Sequence, residues 1–134
     1  MPLQRDEVLA IRSSTDVVMV RQAVRALAMA QGFSLIDQTK IVTAASELAR
    51  NTLEHGGGGT VKLEAVSQGL RKGVKLTFED QGPGIPDLNL ALTDGYTTGG
   101  GMGLGLSGSK RLVNDFDITT KPGEGTRVTV TRWK

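Results

Sequence analysis

Glu47 and Asn51 stand four residues apart in Glu47-Leu-Ala-Arg-Asn51, a spacing that puts both side chains on one face of a helix. Arg50, three residues from Glu47, continues that side. An amide oxygen on such a face suits a hard cation. Mg²⁺ takes oxygen ligands, keeps several waters and is usually completed by substrate phosphates. A carboxylate beside it can receive a proton from an attacking hydroxyl. A solvated helix edge would carry the same residues, so this segment alone decides nothing. A second segment is Asp80-Gln-Gly-Pro-Gly-Ile-Pro86. It is either an ordinary rigid turn or a place where Asp80 accepts a hydrogen bond from an adenine amino group while Gly82 and Gly84 leave room for the ring. A third is the glycine-rich run from Gly99 to Gly108. Residues 103–108 formally match the dinucleotide fingerprint GxGxxG, which needs a strand directly before it. Tyr96-Thr-Thr-Gly-Gly-Gly101 is no strand, Ser109 precedes Lys110 in the reverse of a P-loop order, and the chain is too short for a protein kinase of the ordinary kind. What remains is a glycine connector, or a seat for phosphate where backbone N–H groups meet a helix N-terminus near Leu104.

These residues need elements to hold them. Val8 to Ile11 reads as a short strand, and Ser13-Ser-Thr-Asp16 offers N-cap chemistry. Val17, Val20, Val24 and Leu27 recur at three and four residues and predict a helix that ends near Gly32. Ser34-Leu-Ile-Asp37 resembles a capping box, with Asp in the acidic position. A second helix is expected over Leu35–Leu53, burying Ile41, Ala45, Leu48 and Thr52 and stopped by Gly56–Gly59. The period then changes to two. Val61, Leu63 and Ala65 form one strand, Gln68–Gly73 a turn, and Val74, Leu76 and Phe78 a strand ending at Asp80. After an irregular stretch from Gln81 to Gly103, a third helix fits Leu104–Val113. Phe116 and Ile118 begin a strand, Lys121–Gly125 turns, and Val128 and Val130 mark the last strand. The expected fold is α/β: a two-layer sandwich of helices on a mixed, mostly antiparallel sheet, in one domain spanning residues 1–134. The loop over 81–103 is longer than compact domains usually tolerate without a function.

Composition narrows the chemistry. There is no Cys and one His, His55, which excludes thiolate catalysis, Cys-ligated zinc and His clusters. A net charge of +2, with no basic run, argues against nucleic acid as a partner. No apolar run approaches the ~20 residues that span a bilayer, and MPLQRDEV lacks a signal-peptide core, so a cytoplasmic protein with no membrane partner is expected. The 18 glycines are clustered, marking particular backbone sites rather than general disorder.

Order and spacing together say more than each segment. Glu47–Asn51, Asp80–Ile85, Gly99–Leu106 and Gly123-Glu-Gly-Thr126 resemble the N box, the two glycine boxes with the ATP lid, and the adenine-side Thr of the GHKL ATPases, whose fold is the Bergerat type. Within that superfamily, residues 45–51, 79–87, 108–116 and 123–126 resemble the small bacterial serine kinases of the anti-sigma regulator class, the RsbT type, along essentially the whole chain. The resemblance implies an ATP- and Mg²⁺-dependent protein serine/threonine kinase. Its substrates would be STAS-domain proteins, the scaffold and antagonist components of a stressosome, and it would then bind and activate a PP2C-type phosphatase. It implies Glu47 and Arg50 as catalytic residues and Asn51 as the metal ligand. Nucleotide contacts would come from Asn51, Asp80, Gly82, Gly84, Ile85, Gly99, Gly100, Gly101, Gly103, Leu104, Gly105, Leu106, Lys110 and Thr126. Glu54 stands where many histidine kinases place a basic residue, and no phosphate contact is carried over to positions 54 and 55. The rival readings are an anti-sigma factor kinase that sequesters a sigma factor and a binding module that uses ATP only to set its shape.

Overall fold

The computed structural model describes residues 6–82, 106–121 and 123–134. Strand β1 (Glu7–Ile11) leads into helices α1 (Ser14–Ala30) and α2 (Leu35–Glu54). Strands β2 (Gly59–Gln68) and β3 (Arg71–Asp80) follow, then the short helix α3 (Leu106–Arg111) and strands β4 (Asp115–Lys121) and β5 (Gly125–Trp133). The strands lie in the order β1-β2-β3-β5-β4, and every described pairing is antiparallel.

Local chemistry starts both long helices where the sequence places them. Ser13 Oγ accepts from Asp16 N at 3.3 Å, and Asp16 Oδ2 accepts from Arg12 N at 2.8 Å. At α2, Ser34 Oγ accepts from Asp37 N at 3.1 Å. The two serine bonds satisfy donors that the first turns would otherwise orphan. Helix α1 ends as Gly32 takes φ +82° and Phe33 N reaches back to Ala28 O. Buried Gln31 then ties this end to the β2–β3 hairpin by donating to the carbonyls of Val66 and Gly73.

Both helices pack on one face of the sheet. Val20, Val24, Ile41, Ala45 and Leu48 meet Val61, Leu63, Val74, Leu76, Phe78, Val128 and Val130 in one core. Burying each large aliphatic side chain stabilises the fold by roughly 1.5–3 kcal/mol.

The differences from the sequence expectation lie at element ends. The turn expected over Gln68–Gly73 shrinks to Gly69-Leu70, because the polar residues Ser67, Gln68, Arg71 and Lys72 still pair in the β2–β3 ladder. Backbone pairing does not require apolar alternation. The helix expected to reach Val113 stops at Arg111: Leu112 N closes on Ser109 O, and Asn114 N already pairs with Thr131 O. Chain reversal into β4 overrides the helical period there. No helix among the described residues is long and apolar enough to cross a membrane.

Candidate nucleotide site

Strand β3 buries every second side chain: Val74, Leu76 and Phe78 face the helices. Asp80 occupies the next position on that face, so the core's apolar row ends in a carboxylate. The register fixes its neighbours. Asp80 sits opposite Gly59 on β2 and Thr126 on β5, and cross-strand partners share a face. Gly82 N donates to Asp80 Oδ1 at 2.9 Å. Thr126 Oγ1 lies 2.9 Å from Thr120 Oγ1 of β4, whose own register partner is Thr126.

The last turns of α2 cross above this row. Leu48, Asn51, Thr52 and His55, with Phe78, Asp80, Leu106, Thr126 and Val128, line one pocket. Its lining mixes apolar side chains with a few polar groups, the usual composition of a small-molecule site. Asn51 Nδ2 is buried with no partner among the described residues. An orphaned buried amide destabilises by about 1–3 kcal/mol, so its terminus is suited to a ligand. Amide oxygen and nitrogen exchange by a half-turn of the side chain, so the same terminus can present an oxygen. A hard cation completed by phosphates and waters needs little more from the protein, so Asn51 fits Mg²⁺. No cluster of His, Cys, Asp or Glu among the described residues offers a metal site of its own.

The helix exit is built from glycine. Gly56 N and His55 N both donate to Asn51 O, and Gly58 N donates to Thr52 O. Gly57 and Gly58 take φ +75° and +109°, where only glycine is unstrained.

Asn51, Asp80, Leu106 and Thr126 therefore meet at one pocket, with Gly82 beside Asp80. Glu47 and Arg50 do not line it. They pair with each other at 2.7 Å, 39 % and 47 % exposed. Glu47 borders a separate groove between α1 and α2, beside Arg21, Arg25 and Ser46. Lys110 is exposed on α3. Gly84, Ile85, Gly99, Gly100, Gly101, Gly103, Leu104 and Gly105 lie outside the described residues. Five pocket residues were not expected at the site from sequence: Leu48, Thr52, His55, Phe78 and Val128. His55 stands four residues after Asn51, so helical spacing was a signal for it.

Residues 36–134 match the family model of the histidine kinase-, DNA gyrase B- and HSP90-like ATPases. The chain belongs to this ATPase family, and the match implies use of ATP. It is 44 % identical over 123 residues to the serine/threonine-protein kinase RsbT of Bacillus subtilis (strain 168), covering 92 % of each chain. That identity supports serine/threonine protein kinase activity. It is also 32 % identical over 101 residues to the anti-sigma F factor of Bacillus licheniformis, covering 70 % of this chain and 68 % of that one. The anti-sigma F factor of Thermoanaerobacter sp. (strain X514) is 26 % identical over 128 residues, covering 92 % of this chain and 89 % of that one. Among solved structures, the catalytic domain of the histidine kinase ThkA superposes with a TM-score of 0.54 at 16 % identity, covering 96 % of this chain and 98 % of that one, which bears on the fold alone.

Proposed function

We propose that this kinase phosphorylates STAS-domain proteins of a bacterial stressosome in the cytoplasm, and that it then binds and activates a PP2C-type phosphatase. The 44 % identity to RsbT across nearly the whole of both chains carries this reading. The convergence of Asp80, Thr126 and Asn51 on one pocket supports the nucleotide part of it.

In this reading Asp80 accepts the adenine amino hydrogen, and Thr126 packs beside it. Asn51 would hold Mg²⁺ through its amide oxygen, and the bound ion would neutralise phosphate charge. The backbone N–H groups of the lid, with Lys110 or Arg111, would hold the phosphate oxygens. Phosphoryl transfer is mostly positioning and charge neutralisation. The substrate hydroxyl oxygen bonds to the γ-phosphorus, its proton passes to Glu47, and ADP leaves. Glu47 must first loosen its contact with Arg50. An exposed ion pair contributes about 0–1 kcal/mol, so an arriving substrate can open it at little cost. Arg50 is then free to meet the phosphate or the substrate loop.

Incubation with labelled ATP, Mg²⁺ and candidate STAS proteins, followed by mapping of the modified residue, tests this directly. Label on a Ser or Thr of the STAS protein is expected. Retention of a sigma factor in a pull-down, with no label on any STAS protein, would favour the anti-sigma reading, which the anti-sigma F factor relatives motivate. Partner binding without transfer to any protein would point to a non-catalytic module.

A further inference from the structure

Four glycines close on Asp80 and its strand neighbours. A methyl group at Gly59 would strike the Glu79 carbonyl, and one at Gly125, where φ is +93°, would strike the carbonyl of Asp80. Those are backbone contacts and serve the sheet. Gly56 differs, because what it meets is the carboxylate itself. A methyl there would lie 2.6 Å from Asp80 Oδ2 and Cβ, and closer still to Cγ. Carbon atoms do not approach that closely, so the side chain would have to move. Gly82 closes the other side. Its N–H holds Oδ1 at 2.9 Å, and a methyl on it would come within 2.7 Å of Gly56 Cα and O. Gly56 and Gly82 therefore abut, with one carboxylate oxygen on an N–H and the other against a bare Cα.

We infer that Gly56 is a positioning residue for nucleobase selection: its missing side chain sets the angle of the Asp80 carboxylate and hence the preference for adenine over guanine. This rests on the reading of Asp80 as the adenine acceptor. Adenine carries an amino donor where guanine carries a carbonyl acceptor. A carboxylate held at one angle accepts from the first and repels the second. A displaced carboxylate does neither well.

Gly57 supplies the control. At φ +75° a side chain there is strained, yet a methyl meets nothing within 4 Å. Gly57→Ala should lower the melting temperature and leave nucleotide preference alone.

The test is equilibrium binding of ATP and of GTP to the full chain, with thermal melting alongside. Gly56→Ala should weaken ATP binding by about tenfold or more, the scale of a lost hydrogen bond to a charged acceptor, and bring the ATP-to-GTP ratio close to unity. Gly57→Ala should keep the wild-type ratio. Wild-type selectivity surviving in Gly56→Ala would overturn the positioning role alone. Equal binding of ATP and GTP by the unaltered chain would overturn the adenine reading of Asp80 and this inference with it. Should Gly56→Ala fold poorly, melting of Asp80→Gly with and without Gly56→Ala decides the contact. With the carboxylate removed, the added methyl should lower the melting temperature no further. A drop that persists would place the clash elsewhere and defeat the proposal.

Discussion

The two ends of the sheet treat buried polar groups in opposite ways. At the end formed by the start of α2 and the close of β5, most find partners within the protein; Arg132 Nε is the exception among the described residues. Asp37 Oδ1 accepts from Arg132 Nη2 at 2.6 Å, Arg132 Nη1 donates to Leu112 O at 2.9 Å, and Gln31 donates to two carbonyls. At the other end stand an amide with no partner among the described residues and a carboxylate terminating an apolar row. A polar side chain under a helix thus means closure in one place and reception in the other. The distinction lies in whether its partners are already supplied. Substitutions at the receiving end should alter ligand binding and chemistry more than stability, and those at the closed end the reverse.

Glu47→Ala should show the largest effect. A positioned base contributes about 10²–10⁴-fold in rate, so single-turnover transfer to a STAS protein at saturating ATP should fall by that much while partner affinity holds. Near-normal transfer would remove the general-base role and leave Glu47 as one half of a surface ion pair.

Asp80→Asn comes next. A hydrogen bond to a charged acceptor contributes roughly 1.5–3 kcal/mol, so ATP affinity should drop by about ten- to a hundredfold with little change in melting. If melting suffers and affinity does not, Asp80 is structural and the contrast between the two ends collapses.

Asp37→Asn should do the converse, costing about 1 kcal/mol of stability for a partly buried charged bond and sparing ATP affinity. Its pH dependence gives a second check. The hydrogen bond from Arg132 holds the Asp37 carboxyl below its ordinary value of 3.8, against an opposing effect of burial. A group lowered on folding stabilises above its unfolded pKa, and that stability is lost as pH falls through the lower, folded value. The wild-type advantage over Asp37→Asn should therefore be full near neutrality and fade as pH falls below the ordinary carboxylate value. An advantage that does not shrink in acid would exclude the ion pair as its source.

The smallest expected change is at Ser109, fully buried on α3 with its hydroxyl unpartnered among the described residues. Ser109→Ala should be neutral or stabilising by up to about 1 kcal/mol in chemical denaturation. A clear loss of stability would mean that the hydroxyl is satisfied after all and that the receiving end is more closed than it looks.

Much of this architecture was legible from local pattern. Ser13 and Ser34 cap where their side chains can reach the next turn, and the rows Val17–Val24, Ile41–Thr52 and Val74–Phe78 are buried as their periods require. Thr126 came only from the family resemblance, whereas Asp80 was marked by the glycines and prolines that follow it and Asn51 by its helical spacing from Glu47. Signals of this kind act over one or two turns of helix, or across one tight turn, and such spans are set by backbone geometry alone. The sequence determined that much by itself.

Only the tertiary structure decided which distant pieces meet. The placing of β5 between β3 and β4 brings Thr126 opposite Asp80. The same placing lets Arg132 reach Asp37, a pair that no local spacing announces. It leaves Glu47 outside the pocket that Asn51 lines, in the groove between α1 and α2, although the two stand one helical turn apart. And it turns Gly56 from a helix stop into the wall behind a carboxylate. Pairing order and close backbone approach follow from burying the whole apolar set at once, so no window of a few residues contains them.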